Sequence, residues 1–322
     1  MIAQPDVLVL GAGGALGERW MRGVLAGLAD AGGMDLAAAE HIVGTSAGAI
    51  VAADLMAGRL PVGPSEGGED RGWLEVEDDD EESGGSRLGA IAAGAFGGAR
   101  WIARAVPSKA GRAVRTAAGP LAPYALTASQ PPRALLRASV LGRIEPPRAS
   151  LDELGGRLAR DGLRFDGRLR VVCVERERGR RVVFGSPAAP AATVAEAVQA
   201  SCSVPWLYRG VRIGEHEYVD GGLWSPTSID AAPAGRDARV LCLNPSGSAA
   251  RDAAPNGAIR TASRSAAALE AAALRRRGAD VTLIAPDPAA AAALAAPPGE
   301  PDVARRALAA GYRQGVALAR GD

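Results

Sequence analysis

The feature that most restricts this chain is the pentapeptide GTSAG at residues 44–48, which stands between an apolar run and an alanine-rich stretch. A GxSxG sequence in that setting is typical of a nucleophile elbow, a sharp strand-to-helix turn that exposes the serine hydroxyl at the edge of a sheet. The strained backbone leaves no room for bulky neighbours, which explains Gly44 and Gly48. The turn also puts the hydroxyl of Ser46 at a helix N-terminus, where partial positive charge favours a developing anion. Ser46 is therefore the candidate nucleophile.

The pattern around this turn predicts a wound α/β sheet. Short apolar runs at 7–10 and 41–43 are each followed by a glycine-rich turn and then by helical stretches at 18–31 and 47–57. Alternation of strand and helix predicts a three-layer α/β/α fold with a central, mostly parallel sheet. Further strands are predicted at 169–175, 181–185, 211–213, 218–219, 240–243 and 281–284, and further helices at 193–201, 264–277 and 302–320.

A second glycine-rich segment, GAGGALG at 11–17, directly follows the first predicted strand. As a dinucleotide loop, it would bind a pyrophosphate at the start of the following helix. As an oxyanion hole, it would direct the N–H groups of Gly13 and Gly14 at the carbonyl oxygen of a tetrahedral intermediate. Taken alone, the segment favours the nucleotide interpretation.

A third segment, Asp-Gly-Gly at 220–222, follows a short apolar strand. A carboxylate at a strand end suits a base, although this tripeptide is also a common turn. The chain has two histidines, and neither follows Asp220 as the α/β-hydrolase order of serine, acid and histidine requires. His41 lies within the strand that leads to the elbow, and His216 lies in a predicted hairpin turn. The serine is therefore expected to use a base other than histidine.

In this order, the three segments resemble those of the patatin-like phospholipases. Members of that family carry a glycine-rich oxyanion loop, a GxSxG nucleophile and a distant Asp-Gly-Gly or Asp-Gly-Ala base. The resemblance extends to GVLAGL at 23–28 and to ASCSVP at 200–205, and it covers roughly residues 6–230. It favours the oxyanion interpretation of the first glycine loop.

The resemblance implies that Ser46 is the nucleophile, that Asp220 is its base, and that the Gly13 and Gly14 amides hold the oxyanion with help from Ala47. The implied reaction is hydrolysis of a lipid acyl ester through an acyl-enzyme, with no cofactor and no metal. The glycines that support the three motifs are Gly11, Gly17, Gly44, Gly48, Gly221 and Gly222.

The chain departs from the family pattern at three places. Leu16 stands where members usually have arginine or lysine, and Ala12 stands where they have a further glycine. Ser225 replaces the asparagine of the Asn-Pro pair that often follows the aspartate. Backbone donors do not depend on the side chain at position 16, so the catalytic prediction is unaffected. Leu16 does, however, weaken the case for recognition of a phosphate headgroup by that loop.

Two other classes of function stay open at this point. A nucleotide-binding oxidoreductase would need an acidic residue that closes the second strand, whereas Asp35 and Glu40 lie before that strand. That class also leaves GTSAG and Asp-Gly-Gly without a role. A catalytically silent lipid-binding protein would keep the same fold, and acyl transfer to an acceptor other than water is a variant of the hydrolase hypothesis.

The chain is predicted to form one catalytic domain over 6–232, which 233–322 extends with further strands and helices. Residues 61–87 hold an acidic run with little to bury and are predicted to form a mobile surface loop. Residues 88–145 are predicted to form a basic helical cap or lid. Its first part, 88–115, mixes arginines with apolar residues, a pattern that also suits contact with an anionic membrane surface.

Composition narrows the cellular setting. A net charge of +1 gives no overall attraction to nucleic acid. Three widely spaced cysteines, without a CxxC pair, argue against a disulfide framework and for a reducing compartment. The N-terminal residues also lack the basic segment of a signal peptide. We therefore expect a cytoplasmic protein that acts on a lipid or other acyl ester, with peripheral membrane contact through 88–115; the sequence does not specify the oligomeric state.

Overall fold

The computed structural model describes most of the chain, but two predicted segments fall largely outside that part. The predicted acidic loop, 61–87, is described only at 61–64, and the basic segment 88–115 lies outside the described residues. The described residues are 2–59, 61–64, 132–248, 256–296 and 302–321.

The described residues contain an eight-stranded sheet in the order β5-β6-β3-β2-β1-β7-β8, with β4 paired to β3. The run β3-β2-β1-β7-β8 is parallel, whereas β4 and β6 are antiparallel to β3, and β5 is antiparallel to β6. The prediction of a mostly parallel sheet is thus confirmed. The strands are β1 (Val7–Leu10), β2 (His41–Thr45), β3 (Leu169–Glu175), β4 (Arg180–Phe184), β5 (Val211–Ile213), β6 (His216–Asp220), β7 (Arg239–Leu243) and β8 (Asp280–Ile284).

Helices accompany the sheet on both faces. Within the described ranges, none combines the length and apolar character needed to cross a bilayer. The helices are α1 (Gly14–Gly32), α2 (Ala47–Met56), α3 (Pro132–Gly142), α4 (Asp152–Arg160), α5 (Val194–Cys202), α6 (Asn256–Arg276), α7 (Pro288–Leu294) and α8 (Val303–Arg320).

Two hydrophobic cores lie on opposite faces of β1. Leu8 and Leu10 belong to a core shared with α1, α2 and α5, whereas Val7 and Val9 belong to one shared with α6. This division follows from the two-residue period of a strand. Burial on both faces explains why β1 is apolar at every position. The three-layer α/β/α prediction is confirmed.

Helix α1 begins at Gly14, one turn before the predicted start at residue 18. The N-cap is Gly13, which has no side chain to bond the first turn. Sequence patterns locate a helix start mainly by serine, threonine, aspartate or asparagine at that position. The early start was therefore not visible in the sequence, although it decides which amides of the glycine loop are free.

Helices α1 and α8 pack backbone to backbone through glycines. A Cβ atom at Gly23 would lie 2.2 Å from the carbonyl oxygen of Leu308, and one at Gly27 would lie 2.4 Å from that of Tyr312. The two glycines are four residues apart and so share one helix face. This close approach holds the last helix against the first β–α unit.

We expect Gly27→Ala to lower the free energy of unfolding by about 1–3 kcal/mol, because the added methyl group forces the two backbones apart. The control is Gly156→Ala in α4, where no atom lies within 4 Å of the added Cβ. Alanine is favoured over glycine inside a helix by about 0.5–1 kcal/mol, so the control should be neutral or stabilising. Urea unfolding measures both, and equal effects would contradict the packing account.

Candidate active site

Ser46 lies at the sharp turn between β2 and α2. Its backbone adopts φ 53° and ψ −124°, a strained conformation for a residue with a side chain. The turn forces α2 against β1, because a Cβ atom at Gly48 would lie 2.0 Å from the carbonyl oxygen of Leu10. The sharp strand-to-helix turn predicted from GTSAG is confirmed.

Ser201 on α5 holds the turn at Ser46 through its side-chain hydroxyl. Its Oγ accepts a hydrogen bond from the backbone N–H of Ser46 at 2.8 Å and donates one to the carbonyl oxygen of Val172 at 2.7 Å. The hydroxyl thus links the strained turn to β3. Ser201 belongs to the family segment ASCSVP at 200–205, but nothing in the local sequence indicates its hydrogen-bond partners.

Asp220 is the last residue of β6, and the pairing of the strands brings it to Ser46. Thr45 pairs with Val172 of β3, and Asp220 pairs with the next residue, Cys173. The ends of β2 and β6 therefore meet along one edge of β3. At this junction the Oγ of Ser46 donates a hydrogen bond of 2.8 Å to the Oδ2 of Asp220.

The carboxylate of Asp220 is almost fully buried, with 3% of the residue exposed. Burial disfavours its charged form and raises its pKa to about 7, against the lowering effect of hydrogen bonds from Ser46 and Gly222. The N–H of Gly222 donates to Oδ1 at 2.6 Å, which fixes the carboxylate plane. A carboxylate with a pKa near neutrality accepts a proton far more readily than an ordinary aspartate.

The glycine loop offers free backbone donors beside these residues. The N–H of Gly11 donates to Leu243, and that of Ala12 donates to Pro226. In contrast, the N–H groups of Gly13 and Gly14 have no acceptor within the described ranges, nor has that of Ala47. Unpaired amides at the starts of α1 and α2 are suited to an anion.

Contacts show that the three motifs lie together. A Cβ atom at Gly48 would lie 2.8 Å from the carbonyl oxygen of Gly11, and one at Gly222 would lie 3.4 Å from the Cβ of Ala12. Gly17 donates its N–H to the carbonyl oxygen of Gly13 and so closes the first turn of α1. The remaining motif glycines pack against backbone: Gly44 against α2 and Gly221 against β3.

The contacts of the two histidines do not include Ser46 or Asp220. The Nδ1 of His41 contacts the carbonyl oxygen of Gly167 at 3.2 Å. His216 lies at the opposite end of β6 from Asp220, where its ligand atom and those of Glu175 and Glu177 all lie within 4.8 Å of one another. This group has the composition of a metal site but does not adjoin Ser46.

The geometry can be compared with known proteins. A model of the patatin-like phospholipase family matches residues 8–233, a span that contains all three motifs and most of the chain. The chain belongs to the patatin-like phospholipase family. Membership in this family supports lipid acyl hydrolase activity at the level of the family.

Among solved structures, VipD from Legionella pneumophila is similar to this patatin-like chain. The two are 19% identical, with a TM-score of 0.42, and the alignment covers 99% of this chain and 67% of VipD. A search of curated proteins finds no match.

Replacing Asp220 should change how stability depends on pH. Because the folded-state pKa of Asp220 is raised from 3.8 to about 7, the folded protein holds a proton that the unfolded chain has lost in this window. Stability therefore falls as pH rises from about 4 to 7. Asp220→Asn abolishes this loss. We expect its stability relative to wild type to increase by about 2–3 kcal/mol between pH 5 and pH 8.

Urea unfolding of both proteins at the two pH values measures this difference. Comparing the two proteins at each pH cancels the contribution of every other titrating group. A difference that does not change with pH would contradict the raised pKa of Asp220.

Proposed function

We propose that this chain hydrolyses lipid acyl esters with Ser46 as nucleophile and Asp220 as base. The observation that carries the proposal is the buried 2.8 Å hydrogen bond from the serine hydroxyl to the carboxylate. A nucleophile within hydrogen-bond reach of its base is the arrangement that covalent catalysis requires. The raised pKa of the carboxyl supports the same assignment.

In the acylation step, Oγ of Ser46 attacks the carbonyl carbon of the ester while Asp220 takes its proton. The tetrahedral intermediate collapses, the proton passes to the leaving alcohol, and an acyl-serine forms. In the second step Asp220 takes a proton from water, whose oxygen attacks the acyl group. Release of the fatty acid returns the proton to Ser46.

The negative oxygen of each tetrahedral intermediate would be held by the amides of Gly13, Gly14 and Ala47. Their N–H groups carry no competing hydrogen bond within the described ranges, and two of them begin α1. Fixed donors of this kind contribute strongly, since loss of one typically lowers the rate by about 100- to 1,000-fold. An oxyanion role for these amides also accounts for the glycine-rich sequence of the loop beside Ser46 without a bound nucleotide.

The substrate would be recognised by its acyl part and not by a phosphate at the glycine loop. Leu16 takes the place of the basic residue usual in the family, and its side chain is buried. The loop thus offers no cation to a headgroup. Peripheral membrane contact through 88–115 and a cytoplasmic location stay predictions from the sequence.

The catalytic unit is proposed to be one domain that includes both 6–232 and 233–322. Strand β7 pairs with β1 and strand β8 pairs with β7, so the later segment adds to the same sheet. In the glycine loop, the N–H of Gly11 also donates a hydrogen bond to the carbonyl oxygen of Leu243 in β7.

Ser46→Ala and Asp220→Asn should each lower kcat for lipid ester hydrolysis by at least about 1,000-fold, because each removes a group that acts in both steps. Ser186→Ala is the control: this serine donates its hydroxyl to the carbonyl oxygen of Val183, and it has no bond to Ser46 or Asp220 within the described ranges. Labelling with a fluorophosphonate should follow the same pattern. Folded wild-type protein that is neither labelled nor active would favour the catalytically silent lipid-binding alternative.

The pH dependence of kcat/KM tests the base separately. Asp220 must be ionised to accept the serine proton, so kcat/KM should rise as pH increases through about 7 and level off above it. Initial rates between pH 5 and pH 9 on one soluble ester measure the profile. A limb near pH 4 would mean that the base is an ordinary exposed carboxylate.

A further inference from the structure

A second buried carboxylate is bonded to the turn that follows the Asp-Gly-Gly motif. Glu270 on α6 is 6% exposed and lies beyond the part of the chain that matches the family model. Its Oε2 accepts hydrogen bonds of 2.8 Å from the hydroxyl of Thr227 and from the backbone N–H of Ile229. Burying a carboxylate is costly, so its retention there needs a reason.

The donors to Glu270 belong to the tight turn 225–229, which follows the Asp-Gly-Gly motif. Within that turn, the Oγ of Ser225 accepts the N–H groups of Thr227 and Ser228 at 3.2 and 3.1 Å. Ser228 has φ 51°, a conformation that a residue with a side chain adopts only when its surroundings impose it. The carboxylate of Glu270 bonds to the residues on both sides of Ser228, namely Thr227 and Ile229.

The 225–229 turn in turn holds the glycine loop. The carbonyl oxygen of Pro226 accepts the N–H of Ala12 at 2.7 Å, and Ser246 donates its hydroxyl to the carbonyl oxygen of Ala12 at 2.8 Å. Ala12 is therefore clamped on both sides of its backbone. The next two residues carry the unpaired amides, so a shift of the clamp changes where those amides point.

We propose that Glu270 is a positioning residue, which fixes the 225–229 turn and, through the Pro226 carbonyl, aims the Gly13 and Gly14 amides at the reacting carbonyl. The inference rests on the proposed function, since it gives those amides their oxyanion role. It also assigns a catalytic purpose to the segment after residue 233.

The hydrogen-bond pattern defines the conservative variant. The bonds from Thr227 and Ile229 go to the same oxygen, Oε2, and one amide oxygen has two lone pairs; the hydroxyl of Ser225 is a further hydrogen-bond partner of the carboxylate. Glutamine at position 270 can therefore accept both bonds without a charge. Alanine can accept neither, and it leaves the buried N–H of Ile229 without a partner.

We expect Glu270→Ala to lower kcat by about 10- to 100-fold with KM changed by less than about threefold, because a misplaced loop weakens binding of the transition state more than of the substrate. Glu270→Gln should stay within about threefold of wild type in both constants. Thr227→Val, which removes one of the two bonds at nearly constant shape, should show an intermediate fall in kcat.

The matched control is Arg275→Ala. This residue lies on the same helix and donates a hydrogen bond to the carbonyl oxygen of Val281, away from the 225–229 turn. We expect Arg275→Ala to leave kcat unchanged even if it lowers the melting temperature. Rates are normalised to the folded fraction measured by circular dichroism. Across the Glu270 and Thr227 variants, affinity for a trifluoromethyl ketone analogue of the substrate should fall in proportion to kcat/KM.

Three outcomes would overturn the proposal. If folded Glu270→Ala has the kcat of wild type, Glu270 has only a structural role. If Glu270→Ala does not fold, an unchanged kcat in Thr227→Val leads to the same conclusion. Equal losses in the alanine and glutamine variants would mean that charge, not hydrogen bonding, matters. Activity in Ser46→Ala is a separate result, because it would reject the proposed function itself.

Discussion

The site depends on the way in which two strands share one edge of β3. Strand β2 pairs with the first part of β3 and β6 pairs with its last part, running in the opposite direction. The carboxyl ends of β2 and β6 therefore meet, and Ser46 and Asp220 come within one hydrogen bond although 174 residues separate them. Because the sheet carries both groups, the proposed nucleophile and base are already ordered in the free protein, which for the proposed reaction would remove much of the entropic cost.

This arrangement makes the site unfavourable for folding in two ways. The backbone of Ser46 is strained, and Asp220 is a carboxylate that burial keeps from water. Glu270 adds a second buried carboxylate, whose pKa is raised to about 7 chiefly by burial and then by the charge of Asp230. Within the described ranges, no ion pair joins Asp220 or Glu270 to a cation. The doubly covered sheet and the close packing of α1 on α8 offset these costs.

Local sequence predicted the framework well because local physics decides it. The bounds of β1 and β3 were predicted as observed, since a strand buried on both faces is mostly apolar: β1 is VLVL, and β3 is LRVVCVE with five apolar residues of seven. Helices α4 and α7 were missed: α4 is rich in charge and glycine, and α7 is a short alanine run. The sequence offered no reason to assign a role to Ser201 or Glu270, because their hydrogen-bond partners are distant in the chain. Ser201 bonds to Ser46, 155 residues away, and Glu270 bonds to Thr227, 43 residues away.

The sequence by itself determined which chemical groups are available: a serine at an elbow, a glycine-rich loop, an aspartate at a strand end and no histidine suited to a triad. Each of these depends on residue type and on neighbours within a few positions. The tertiary structure decided which groups meet and in what surroundings. Only the antiparallel pairing of β6 with β3 brings Asp220 to Ser46, and only burial gives that aspartate a pKa near 7. Strand pairing and desolvation depend on contacts between distant segments, and no local pattern in the chain encodes them.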